Sequence, residues 1–197
     1  MTREYLPLAA SSLQPGARYH QPGQNAERVR VDSPALAVMT DLRQIPAATI
    51  DPEAPVDAAN RFMIRRGVRL LLVTDDERRV LGLITATDIL GEKPVQFSRE
   101  RGIKRQEIRV ADIMTPHDRL EVLLYNDLVK AEVGHVVATL RHSGRQHALV
   151  ADREGEGKAQ AVRGIFSASQ IARQLGIAIQ TTEVAQTFAE IETALRR

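Results

Sequence analysis

Two kinds of hydrophobic spacing follow one another along this chain, and the same succession occurs twice. In the first half Val56, Ala59, Phe62 and Met63 fall on one face of a helix, which Pro55 opens and Arg65-Arg66-Gly67 closes. Arg69 to Thr74 is a continuous apolar run of strand length, Asp75 to Arg79 a polar turn, and Val80 to Ile84 a second strand that enters a helix at Thr85. Ala48-Thr49-Ile50 adds a brief extended piece ahead of Pro52. The half therefore reads strand, helix, strand, strand, helix.

The second half repeats that order. Leu120 to Leu123 is the brief strand. Asn126 or Asp127 caps one helix that carries Leu128, Ala131, Val136 and Leu140 and stops at Ser143-Gly144. Gln146 to Ala151 and Val162 to Phe166 are the paired strands, joined by a longer turn, and Ser167 starts a helix that runs through Ile171 and Leu175. Gly82 and Gly164 hold matching places 82 residues apart, and Ala111 to Thr115 echoes Ala37 to Thr40. A period of this length means duplicated architecture.

Three stretches fall outside the repeat. Residues 1–33, with Pro7, Pro15, Pro22 and several Gln and Ser, read as a flexible N-terminal arm. Residues 92–109 form a basic connector, with Lys93, Arg99, Arg101, Lys104, Arg105 and Arg109. Residues 177–197 read as a C-terminal helix with the stripe Val184, Phe188, Ile191 and Leu195, which either packs back on the chain or meets a second copy. Between them, 34–91 and 110–176 are the repeats.

Composition narrows the chemistry. With 197 residues, 43% of them hydrophobic and only 4% aromatic, the core is aliphatic. The absence of Cys excludes disulfides and thiolate sites and suits a reducing cytoplasm. No run approaches the ~20 apolar residues of a membrane span, and a net charge of +2 is too small to imply a polyanion partner. His20, His117 and His135 show no metal-ligand spacing, and no nucleophile–base set stands out, so neither a catalytic nor a metal site is expected.

The chemistry-bearing motif is Gly82-x-x-Thr85-x-x-Asp88. Glycine admits another backbone or a ligand close to the strand. Thr85, at a helix start, suits a phosphate, and the two oxygens of Asp88 suit the cis-diol of a ribose. The same Thr-x-x-Asp spacing also makes a capping box, and Ser167-x-x-Gln170 fits one even better.

In order and duplication, Val38-Met39-Thr40, Thr49-Ile50, Gly67 to Val73, Leu81 to Leu90, Val110 to Pro116, Gly144 to Asp152 and Gly164 to Ser167 resemble the cystathionine-β-synthase-type (CBS) domain pair, or Bateman module. The resemblance implies an α+β fold: two β-α-β-β-α CBS repeats packed about a pseudo-twofold axis. It implies adenosine-containing ligands (AMP, ADP, ATP or S-adenosylmethionine) bound between the repeats, with Mg²⁺ possible beside a polyphosphate and no cofactor. It places one competent site on Thr85 and Asp88, bordered by Thr49, Ile50, Arg69 and Leu70. The second site, at Ser167, Gln170, His147 and Ala148, is expected to be weaker, because Gln170 stands where a carboxylate would hold the diol.

The expected function is therefore a non-enzymatic, cytoplasmic regulatory module that senses an adenine nucleotide or S-adenosylmethionine. It would respond by changing conformation or its association with an effector protein, as a homodimer. The alternatives are a ligand-free scaffold that assembles through the C-terminal stripe, and nucleic-acid binding by the basic connector, which would weaken steeply with salt.

Overall fold

A computed structural model describes residues 29–153 and 160–177. The arm before residue 29, the turn at 154–159 and the Val184–Leu195 stripe lie outside the described residues. In chain order the elements are β1 (Thr40–Asp41), β2 (Thr49–Ile50), α1 (Val56–Arg66), β3 (Leu70–Thr74), β4 (Val80–Thr85), α2 (Ala86–Leu90), α3 (Lys93–Arg101), α4 (Val110–Ile113), β5 (Thr115–Pro116), β6 (Val122–Leu124), α5 (Tyr125–Leu128), α6 (Val133–Ser143), β7 (His147–Arg153), β8 (Gln160–Ser167) and α7 (Ala168–Gln174).

The strands make two four-stranded sheets, ordered β2-β3-β4-β5 and β1-β8-β7-β6. Each is built on an antiparallel hairpin, which the short preceding strand joins in parallel. The two ladders share their register. Leu70 faces Thr85 and Val73 faces Gly82, as His147 faces Ser167 and Val150 faces Gly164, and each ladder slips just after its valine. This is an α+β fold with one β-α-β-β-α unit used twice.

The helix ends follow local chemistry. Gly67 and Gly144 take the left-handed conformation, at φ 64° and 63°, after basic last turns. Glycine adopts it without the clash a Cβ would bring.

Each sheet takes its edge strand from the chain that leads into the other unit. β1 pairs with β8, and β5 pairs with β4. The two repeated glycines sit at these crossings. A Cβ on Gly82 would fall on the Thr115 carbonyl oxygen, and one on Gly164 would come within 2.5 Å of Met39 Sδ. What approaches the strand at these glycines is exchanged backbone. A side-chain clasp adds to the second crossing: Arg163 donates to Asp41 at 2.9 Å, and its guanidinium lies 5.1 Å from the centre of the Tyr125 ring.

The core has three parts. Leu71 and Val73 of β3 meet Val56, Ala59 and Met63 of α1, with Ile84, Ile89 and Ile108. Val150 and Phe166 meet Val136, Leu140 and Ile171, with Ala35 and Val38 from the entering chain. The alternate residues Leu70, Leu72 and Leu149 point the other way and join the two sheets face to face, along with Leu83, Val122 and Ile165. The run Leu70 to Val73 is thus apolar throughout because both its faces are covered. A fully buried Leu or Ile here contributes about 2 kcal/mol.

One sequence expectation changes. The single helix expected from Asn126 or Asp127 is two, α5 and α6, because residues 31–35 take the backbone groups between them. Ala35 N–H donates to Ala131 O, Val133 N–H to Ser33 O and Gly134 N–H to Val31 O, all within 2.8–2.9 Å. The basic connector at 92–109 has a definite place beside the first unit. It forms α3 and a 3₁₀ turn at Arg105–Glu107, packs Phe97 and Ile103 on the first core and buries Ile108 in it.

Candidate functional site

The start of α2 shows how the first motif is used. Asp88 N–H donates to Thr85 Oγ1 at 3.2 Å, and Asp88 Oδ2 accepts from Thr85 N–H at 2.8 Å and from its hydroxyl at 2.7 Å. The remaining oxygen, Oδ1, lies 2.6 Å from Lys93 Nζ, which also donates to Ile113 O at 3.3 Å. The Asp88 side chain is only 13% exposed. This is a complete capping box closed by an ion pair, so both carboxylate oxygens already have partners, Thr85 in the same repeat and Lys93 in the connector.

The second motif behaves in the opposite way. Ser167 makes no cap bond at the start of α7 and instead pairs with Ser169 Oγ at 3.1 Å. Gln170 Oε1 accepts from Thr40 Oγ1 at 3.1 Å. The expectation that Ser167-x-x-Gln170 makes the better capping box is therefore reversed. The exchanged strand β1 brings Thr40 to the Gln170 amide, and that draws the side chain away from its own helix end.

A cleft of about 1100 Å³ opens between the two repeats. Residues 45–48, the end of α1 and residues 66–70 line it from one side, with Ala86 and Leu90. His147, Ser167, Ser169, Gln170, Arg173 and Ile177 line it from the other. Its floor is apolar, from Leu42, Ala47, Met63, Val68, Leu70 and Ile165. Arg66, Arg69 and Arg173 are its charged groups, and no Asp or Glu is among its described lining residues. Arg173 Nε donates to Ser169 O at 3.3 Å, and Arg66 lies 5.8 Å from the centre of the Phe62 ring. Burial, and then the Arg69 charge, push the His147 imidazole down to about 4 against an opposing pull from Asp88. The ring is neutral at pH 7.

The structure regroups the residues that the sequence singles out. Arg69 and Leu70 line this cleft together with His147, Ser167 and Gln170. Thr85 and Asp88 are not in its lining, nor are Thr49, Ile50 and Ala148. Ile50 packs on the first core and Ala148 on the second. Thr40, Asn60, Arg66 and Arg173 join the site without having been anticipated. Two of these carried a signal: Arg173 lies one helical turn after Gln170, and Thr40 sits in the repeated Met-Thr pair. Among the described residues no group of three or more His, Asp or Glu side chains could hold a metal ion, and no helix is long and apolar enough to cross a membrane.

Comparison with known proteins fits this geometry. The family model for the CBS domain matches residues 36–94. An uncharacterised protein of Methanopyrus kandleri is 29% identical over 62 residues, a match covering 32% of each chain. The chain thus spans about a third of the length of that curated relative. An uncharacterised conserved protein of Pyrococcus horikoshii has a crystal structure that aligns with 78% of this chain and 100% of its own, at 25% identity and a TM-score of 0.54. CBSX2, a CBS-pair protein of Arabidopsis thaliana whose crystal structure is a complex with AMP, aligns with 72% of this chain and 94% of its own, at 22% identity and a TM-score of 0.50.

Proposed function

We propose that this chain is a CBS-domain pair acting as a regulatory module that binds an adenine nucleotide, in preference to S-adenosylmethionine, in the cleft between its repeats. The observation that carries this reading is the cleft wall: an apolar floor with Arg66, Arg69 and Arg173 and no carboxylate among the described lining residues. The floor suits a planar base, and guanidinium groups suit phosphate as charged forks. S-adenosylmethionine offers the same arginines one carboxylate but brings a sulfonium and an ammonium cation with it, for a net positive charge where a nucleotide is negative. A fold shared with CBSX2, which holds AMP, supports the ligand class. Any Mg²⁺ would arrive with a polyphosphate.

A ligand seated between the repeats biases their relative position by as much as its affinity for two arrangements differs. A second copy of the chain and a separate effector protein are the recipients of that change. The module itself has no catalytic role in this reading, and it acts in the cytoplasm.

Calorimetric titration of the full chain with AMP, ADP, ATP and S-adenosylmethionine tests it. Nucleotides are expected to bind and S-adenosylmethionine to bind more weakly, with Arg69→Ala costing the nucleotides about tenfold. Tighter binding of S-adenosylmethionine than of all three nucleotides overturns the choice of ligand. No binding by a folded chain favours the scaffold reading, to which the internally satisfied Asp88 already lends some weight. The nucleic-acid reading loses ground, since Lys93, Arg105 and Arg109 of the connector are bonded to acceptors of this chain.

A further inference from the structure

The rim of the cleft is apolar and bare. Ile45, Ile64 and Leu90 line it and are 55%, 71% and 68% exposed, three of the six large apolar side chains that stand exposed among the described residues. Such side chains scattered singly need no partner, but three around one opening form a docking surface. Inside the rim the charge is positive, from Arg66, Arg69 and Arg173. The chain itself is led to this place. Gly176, at φ 76°, turns it back at the end of α7, with Gly176 N–H donating to Arg173 O at 3.0 Å and Ile177 N–H to Ala172 O at 2.9 Å. Ile177 leaves that turn in the cleft lining, and residues 178–197 continue from it. Their sequence complements the opening twice over. Val184, Phe188, Ile191 and Leu195 make an apolar stripe, and at helical spacing Glu183 and Glu190 share one flank of it, with Arg196 and Arg197 beyond its end.

We propose that residues 178–197 dock back across the cleft of their own chain and, resting here on the nucleotide reading, compete with the anionic ligand for it. The stripe covers Ile45, Ile64 and Leu90, and Glu183 and Glu190 meet the arginines that a phosphate would otherwise take. The tether favours this over docking by a second copy, since a segment joined at Ile177 meets the rim at an effective concentration on the order of millimolar. A nucleotide that displaces the segment frees the stripe for a partner, so occupancy becomes a change of association.

The chain has no Cys, which allows a clean crosslinking test. In the full chain Ile64→Cys is combined in turn with Phe188→Cys, Ile191→Cys and, on the opposite face of the stripe, Gln186→Cys, and each is oxidised in dilute solution. An intrachain disulfide is expected with Phe188→Cys or Ile191→Cys, at least about tenfold faster than with Gln186→Cys. A disulfide between chains instead means that a second copy covers the rim, and equal rates on both faces mean that the stripe does not dock; either result overturns the inference. Competition is read by calorimetry with AMP, for which Glu183→Gln with Glu190→Gln is expected to raise the affinity by about threefold to tenfold. Unchanged AMP affinity overturns the competition and leaves the nucleotide reading standing. No AMP binding by either chain overturns that reading, and the crosslink alone then decides the docking.

Discussion

Lys93 Nζ stands 2.6 Å from Asp88 Oδ1 and ties the first residues of α3 to the helix start that Asp88 caps. The corresponding side chain of the second repeat, Gln170, bonds Thr40 at the cleft wall and leaves its own helix start uncapped. The two motifs have the same place in the duplicated ladder and serve different ends: one fixes a helix, the other faces the space between the repeats.

Asp88 should therefore matter more to stability than to the ligand. Asp88→Ala removes a cap and an ion pair together and is expected to cost about 1–2 kcal/mol in urea unfolding. Lys93→Met, which deletes only a half-exposed partner, should cost under about 1 kcal/mol. AMP affinity in the cleft should move by no more than about twofold in either variant. Loss of AMP binding in a folded Asp88→Ala chain would put the ligand against Thr85 and Asp88 instead.

The strand crossings should respond unequally to the same substitution. At Gly82 an added Cβ meets the Thr115 carbonyl, which is backbone and held in the β4–β5 ladder. At Gly164 it meets first the Met39 thioether, which has free torsions to move aside. Gly82→Ala is expected to destabilise by about 2–4 kcal/mol and Gly164→Ala by about 1–2 kcal/mol, read as midpoint shifts in denaturant. Equal costs would mean that the two crossings yield in the same way.

The clasp at the second crossing holds a buried charge. Arg163 and Asp41 are 11% and 16% exposed, and the other guanidinium nitrogens, Nε and Nη1, have no hydrogen-bond partner among the described residues. The Tyr125 ring beside them supplies a face for the cation. Asp41→Ala strands that cation and is expected to cost about 3 kcal/mol in thermal or denaturant unfolding. Arg163→Met in the same background should recover part of the loss, because it removes the charge that was left alone. No recovery would mean that Asp41 acts through the β1 backbone rather than through the pair.

The fold was legible in the sequence because its signals are local and occur twice. The helix stops at Gly67 and Gly144, the apolar runs at Leu70 and Leu149 and the glycines at 82 and 164 each reflect a short-range constraint. The break between Leu128 and Val133 was hidden, because what makes it is the pairing of residues 31–35, far away in the chain. The site was half legible for the same reason. Arg69, Leu70, His147, Ser167 and Gln170 all line one cleft, whereas the sequence pattern divides them between two repeats. Periodicity places each residue in its own repeat and carries no information on which repeat faces which. Thr40 escaped notice because strand exchange takes it across to Gln170.

His147 gives the chain a pH dependence whose sign follows from its place in the wall. Burial, and then the Arg69 charge, push its pKa from the usual 6.5 to about 4, while Asp88 pulls weakly the other way. Above pH 6.5 the ring is neutral in folded and unfolded chains alike, and it costs nothing. Between pH 6.5 and 4 the unfolded chain takes up a proton that the folded chain refuses, so stability falls as the pH falls. Below about 4 both states are protonated and this contribution levels off. The full span is about 3 kcal/mol at most, and about 1–3 kcal/mol with the partial exposure of the ring allowed for. His147→Gln keeps a neutral polar side chain and should flatten the slope between pH 6.5 and 4, while leaving the carboxylate titrations at lower pH in place. Urea midpoints measured every half pH step for both chains decide it. Parallel curves would mean that the imidazole titrates normally, and the ring would then have to lie in water rather than against Arg69 in the cleft wall.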